Sequence, residues 1–167
     1  MHQSFIFLVV SGFGFAALLF AALHDIGFRT VPNWVSLALL ICGVILRLQN
    51  GNLLIGLGVS AAFFLMTFLL WRFGLMGGGD VKLLTAASLF LTPSHAPMLL
   101  SGTAVVGGVL ALIYFLAGWA VPRPTRQRPK GFLLRVLRCE QWRLRRRGPL
   151  PYAAAIAAGG VLATLAS

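Results

Sequence analysis

Six apolar runs separated by short polar breaks constrain this chain more than any other feature: Phe5 to Leu23, Trp34 to Leu48, Leu53 to Trp71, Val81 to Leu91, Met98 to Val121 and Leu150 to Ala166. As helices, the longer runs match the hydrocarbon thickness of a bilayer. In lipid no water satisfies the backbone, so segments of this kind have to be helical. The hydrophobic fraction of 59%, the 10% of charged residues and a mean hydropathy of +0.90 lie far from the soluble globular norm. The expectation is an all-α polytopic membrane protein, a single domain over 1–167 with six transmembrane helices and no internal repeat.

The breaks between the runs carry the remaining information. His24 to Asn33 closes the first run, with Pro32 as punctuation and Asn33 as the expected N-cap of the second helix. Trp34 then falls at interface depth. Small residues in the first run, Gly12 and Gly14 among them, favour close helix approach, and Gly107-Gly108 marks a tight packing point or a kink in the fifth. Val81 to Leu91 spans only ~17 Å as a helix at ~1.5 Å per residue, well under the hydrocarbon thickness. Either Asp80 therefore lies below the membrane surface in a protein-lined cavity, or the helix is partly shielded by its neighbours.

The formal charge of +11 reads as loop charge on one membrane face rather than as a nucleic-acid signature. Residues 122–149 hold ten Lys/Arg and one acid, Glu140. If that basic loop is cytoplasmic, both termini lie outside and the loops at 24–33 and 72–80 lie inside. Thirteen of the fourteen Lys/Arg are then inside, and only Arg47 is outside. Within the loop, Leu133, Val136, Leu137 and Leu144 recur near helical spacing with Arg135, Arg138 and Arg143 between them. That pattern predicts an in-plane amphipathic helix on anionic membrane lipid. Cys42 and Cys139 form no Cys-x-x-Cys, so neither a zinc site nor a redox pair is indicated. The N-terminus has no basic n-region, which argues against a cleaved signal peptide.

Only three residues are acidic: Asp25, Asp80 and Glu140. Asp25 and Asp80 each border an apolar run, and the charge argument places both at the same membrane face. Carboxylates are costly there and tend to be kept where they work. Two carboxylates brought together cannot both ionise easily, so they share a proton, one acting as base toward a water and the other as acid toward a carbonyl. Gly77, Gly78 and Gly79 precede Asp80, and glycine there leaves room for a substrate strand to approach. Asp80 also begins the fourth helix, where the dipole favours a negative charge. Arg29 and Lys82 are candidates to tune the aspartates or to bind an acidic group of a substrate, beside the plainer role of anchoring charge. His24 neighbours Asp25, but no partner stands at metal-ligand spacing, so no metal and no cofactor is expected.

These residues resemble the prepilin peptidases, membrane aspartyl proteases of the Gly-x-Gly-Asp type. Gly77-Gly78-Gly79-Asp80-Val81-Lys82 resembles the signature and its continuation. Asp25 followed by Arg29 and Val31-Pro32-Asn33 resembles the motif of the first aspartate. Pro151-Tyr152 with Ala155-Ile156-Ala157 resembles the closing motif, in which Ala153 stands where glycine is usual. The resemblance covers essentially the whole chain. It implies cleavage of the leader of type IV prepilins or pseudopilins at the cytoplasmic face of the bacterial inner membrane, with Asp25 and Asp80 as the catalytic dyad. The short length resembles the single-function form associated with tight-adherence (Flp) pili. The longer bifunctional form carries a further N-terminal region with paired Cys-x-x-Cys, so neither methyltransferase activity nor a zinc site is expected here. The basic loop is read as meeting lipid, with no nucleic-acid partner expected. The long basic loop is more elaborate than a minimal member requires. The rival class is a proton-coupled transporter using the same carboxylates, which would carry more polar residues at mid-span than these nearly bare runs do. A catalytically silent assembly factor would not need intact aspartates.

Overall fold

The computed structural model describes residues 2–120 and 152–165, together with Gly131 and Leu150. The predicted amphipathic helix of the basic loop lies outside the described residues. Among the described residues the chain is entirely helical: α1 (His2–Phe28), α2 (Asn33–Gln49), α3 (Leu53–Arg72), α4 (Gly78–Phe90), a 3-10 turn (Pro93–His95), α5 (Ala96–Ala120) and α6 (Tyr152–Leu165). Three segments, Ser4–Phe28, Leu53–Arg72 and Pro93–Ala117, are long and apolar enough to cross a membrane, while α2 and α6 are shorter apolar helices. The protein is membrane-embedded. Its large apolar side chains point outward as well as inward: Leu8, Leu54, Leu65, Val105 and Leu112 are all exposed. Such an outer surface suits lipid rather than water.

Two boundaries differ from the sequence expectation. The first helix does not stop with its apolar run at Leu23: α1 continues to Phe28 and carries Asp25 in its last turns rather than in a loop. A helix entering the interface loses nothing by admitting His24 and Asp25 when both have partners. Asn33 is not the N-cap of α2. Pro32 holds that position in extended conformation, and Asn33 is the first helical residue, its side chain turned instead toward Lys82.

The short fourth helix is the centre of the bundle. It packs against α2 and α3 and touches α6, while α1 packs on α2 and α6 and α5 packs on α6. Eight of its thirteen residues are buried, which settles how so short a helix is accommodated: its neighbours shield it. Glycines set the approach distances. A Cβ at Gly43 of α2 would lie 2.8 Å from the backbone nitrogen of Phe90, and Gly14 of α1 faces the Phe90 ring. Gly12, by contrast, faces open space. Between α5 and α6 a Cβ at Gly159 would lie 2.7 Å from the backbone nitrogen of Thr103, so only glycine permits that contact. Gly107 meets Ala155 and the Tyr152 ring inside an unbroken α5, so it is a packing point and not a kink. Polar groups in the interior find partners across helices: Ser60 of α3 donates to the carbonyl of Thr85 in α4 at 3.0 Å.

Candidate active site

Three helix ends converge at one end of the bundle: the C-terminal turns of α1 and the N-termini of α4 and α6. Together with Thr30, Val31 and the segment Gly74 to Gly79 they enclose a cavity of about 660 Å³. Asp25 and Asp80 both line it. They are close enough for the charge of Asp25 to be felt at Asp80. Asp25 is buried, at 5% exposure, and Asp80 is half-buried. Asp25 and Asp80 therefore share a single cavity at one end of the bundle.

Each carboxylate is received by a helix N-terminus. The backbone N–H of Ala153, in the first turn of α6, donates to Asp25 Oδ2 at 3.1 Å. First-turn N–H groups have no partner within their own helix and carry the positive end of its dipole. A buried carboxylate needs such donors, because losing its water without replacement is expensive. Asp80 is the third residue of α4, whose N-cap is Gly77. Its carboxylate turns back toward the backbone N–H of Gly77, the N3-to-N-cap half of a capping box. This reach explains the glycine. A Cβ at Gly77 would sit 2.9 Å from Asp80 Oδ2, closer than real contacts allow. At Gly79 the nearest atom would be Val31 Cβ at 3.5 Å, an ordinary contact. Both glycines line the cavity, but Gly77 alone is fixed by the carboxylate.

The end of α1 is locked from several sides. Arg29 has a positive φ of 57°, a left-handed residue that ends the helix where glycine is usual. Its backbone N–H donates to the carbonyl of Asp25 at 2.8 Å, and its Nη2 donates to the hydroxyl of Tyr114 on α5 at 2.6 Å. His24 Nδ1 donates to the carbonyl of Thr30 at 2.7 Å, holding the turn that follows. Arg29 lines the cavity. Lys82 does not. Its Nζ donates to Asn33 Oδ1 at 3.0 Å, tying α4 to the start of α2 on the outer side of the site. Among the described residues no cluster of three His, Cys, Asp or Glu could hold a metal ion.

Two members of this assembly escape sequence reading. Ala153 contributes only its backbone, and the signal available was positional: Pro151-Tyr152 announces a helix start, where N–H groups lie free. Tyr114 stands in an apolar span and is one of only two tyrosines, a polar group whose hydroxyl needs a partner.

The fold and site define a class: an all-helical, membrane-embedded protein with two carboxylates meeting in one terminal cavity, each held by a helix N-terminus. The chain belongs to the type IV leader peptidase family, which it matches over residues 12–112. That stretch includes Asp25, Asp80 and the elements α2 to α4 between them. No curated protein and no solved structure matches the chain.

Proposed function

We propose that this protein is an aspartyl endopeptidase that removes the leader peptide from type IV, Flp-like prepilins or pseudopilins at the cytoplasmic face of the bacterial inner membrane. The observation that carries the reading is the placement of Asp25 and Asp80 in one cavity of a leader peptidase family member. A water bound between the two loses a proton to one carboxylate as its oxygen attacks the scissile carbonyl carbon. The other carboxylic acid gives its proton to the carbonyl oxygen. The tetrahedral intermediate then collapses, the C–N bond breaks and the departing amine takes up a proton. The two groups titrate as a unit, and neither needs a fixed role before substrate arrives.

Charge supports the cytoplasmic assignment. Arg29 lines the cavity, and Arg72 and Lys82 lie on the elements that border it. The chain also returns from the ten basic residues of 122–149 at this end, where Leu150 and Tyr152 line the cavity. Arg47 sits at the opposite end of α2. Basic residues gather at the cytoplasmic face of membrane proteins. The substrate's own apolar stem lies beside the enzyme in the bilayer, which brings its scissile bond to the cavity. Gly77 and Gly79 keep the wall of that cavity low, and Arg29 is placed to meet an acidic group of the substrate. The transporter reading is disfavoured because the two carboxylates share a cavity at one end of the bundle within a peptidase family. Incubating the purified protein with full-length Flp-type prepilin in mixed micelles, and weighing the products, tests this. A single cut between leader and apolar stem is expected; an uncut precursor with every pilin-like substrate of the same cell would overturn it.

A further inference from the structure

A second cavity lies at the other end of the bundle and contains an arginine that the peptidase chemistry does not use. Arg47 is 2% exposed. Its Nη1 donates to Asn52 Oδ1 and its Nη2 to the carbonyl of Phe90, both at a long 3.4 Å. Its Nε is buried without a hydrogen-bond partner among the described residues. Among the described residues no carboxylate compensates it there. The acidic groups among the described residues are Asp25 and Asp80, and Arg47 lies about 21 Å along α2 from Asn33 at the aspartate end, at ~1.5 Å per residue. An unpaired guanidinium removed from water is expensive to keep.

The surroundings are built to keep it. A Cβ at Gly56 of α3 would lie 3.0 Å from Cγ and Cδ of Arg47, so glycine at that position makes room for the stem. Arg47 lines a cavity of about 260 Å³ together with Ser11, Thr92, His95, Phe15 and Phe90. Thr92 Oγ1 and His95 Nδ1 are hydrogen-bonded to each other at 3.0 Å. The cavity thus combines one fixed positive charge, the three hydroxyls of Ser11, Thr92 and Thr164 and an imidazole on aromatic walls. Guanidinium, hydroxyl and imidazole N–H and O–H groups are all donors that phosphate oxygens accept from. The outer surface of α1 beside it is apolar and exposed, Phe5 and Leu8 included, as a lipid chain would require.

We propose that this cavity binds one phosphate group, delivered by a phospholipid headgroup or taken from solution. The guanidinium of Arg47 supplies the charge, and Ser11, Thr92 and His95 supply further hydrogen bonds. The proposal concerns the end of the bundle remote from the aspartates and does not depend on the peptidase reading.

The test uses the full chain purified in detergent. Native mass spectrometry would follow retention of dioleoylphosphatidylglycerol against dioleoylglycerol, which has the same chains without the phosphate. Thermal unfolding would be measured with and without inorganic phosphate. The variants are Arg47→Gln and Thr92→Val, the second preserving the buried charge if the first does not accumulate. A headgroup site predicts at least tenfold preference for the phospholipid in wild type, lost in either variant. A site filled from solution predicts no lipid preference but a rise in melting temperature with phosphate, again lost in either variant. Identical behaviour of wild type and variants in both measurements overturns the proposal, and leaves Arg47 as a cap on the C-terminus of α4.

Discussion

Ala153 and Asp25 are 128 positions apart in the chain, yet the N–H of one meets Oδ2 of the other at 3.1 Å in the buried centre of the site. The last helix thereby completes a site whose two aspartates and glycines come from the first half of the chain. Removing that donor with Ala153→Pro should leave the helix start intact, since proline is tolerated in a first turn. A hydrogen bond to a charged group contributes about 1.5–3 kcal/mol, so processing should slow by roughly tenfold to a hundredfold. Ala153→Gly keeps the N–H and should keep most of the activity. Turnover of prepilin by the two variants at matched membrane levels checks this.

Gly77 and Gly79 make opposite predictions. A methyl at Gly77 collides with Asp80 Oδ2 at 2.9 Å, whereas one at Gly79 makes ordinary contact with Val31 at 3.5 Å. Gly77→Ala should leave stability nearly unchanged, because a side-chain oxygen can move, but should displace the carboxylate and lower turnover by about tenfold. Gly79→Ala should stay within about threefold of wild type, below ~1 kcal/mol. Initial rates on the same precursor separate the two.

The seam between α5 and α6 sets the position of the Ala153 donor. Gly159→Ala would place a methyl 2.6 Å from Thr103 Oγ1 and 2.7 Å from its backbone nitrogen. Overpacking of this kind costs about 1–3 kcal/mol. The variant should therefore melt several degrees lower in detergent and process precursor more slowly. Gly160→Ala, whose methyl would meet Leu18 Cδ1 at 3.5 Å, is the neighbouring control and should melt as wild type does.

Tyr114→Phe keeps the ring beside Arg29 but removes the hydroxyl that accepts its Nη2 at 2.6 Å. If Arg29 meets the substrate, loosening it by about 1 kcal/mol should raise KM roughly fivefold. kcat should change little, because the aspartates and their N–H donors are untouched. Steady-state kinetics on a leader peptide substrate resolves the two parameters.

Much of this arrangement was legible in the sequence. The apolar runs announce the helices, and the positive charge pattern predicts one membrane face for Asp25 and Asp80. The carboxylates stood out because a chain this apolar keeps so few of them. What stayed hidden were contacts made by backbone and by long-range packing. Nothing in the residue type of Ala153 signals an N–H aimed at Asp25, since that depends on where α6 docks. Asn33 looked like a cap because its side chain is of the capping kind, but Lys82, 49 positions away, competes for the same oxygen. Arg47 was expected as an ordinary outer-face charge and is instead almost fully buried, because Gly56 on the next helix leaves space for its stem.

The most direct measurement of the central claim is co-expression of the protein with an Flp-type prepilin, following precursor size on a gel for wild type, Asp25→Asn and Asp80→Asn. Asparagine preserves shape and hydrogen bonding but can neither take nor give the proton the reaction needs. The account predicts that wild type converts the precursor and that each variant, at unchanged membrane level, leaves it full length. Processing by either variant at the wild-type rate would contradict the assignment of these two aspartates as the catalytic pair.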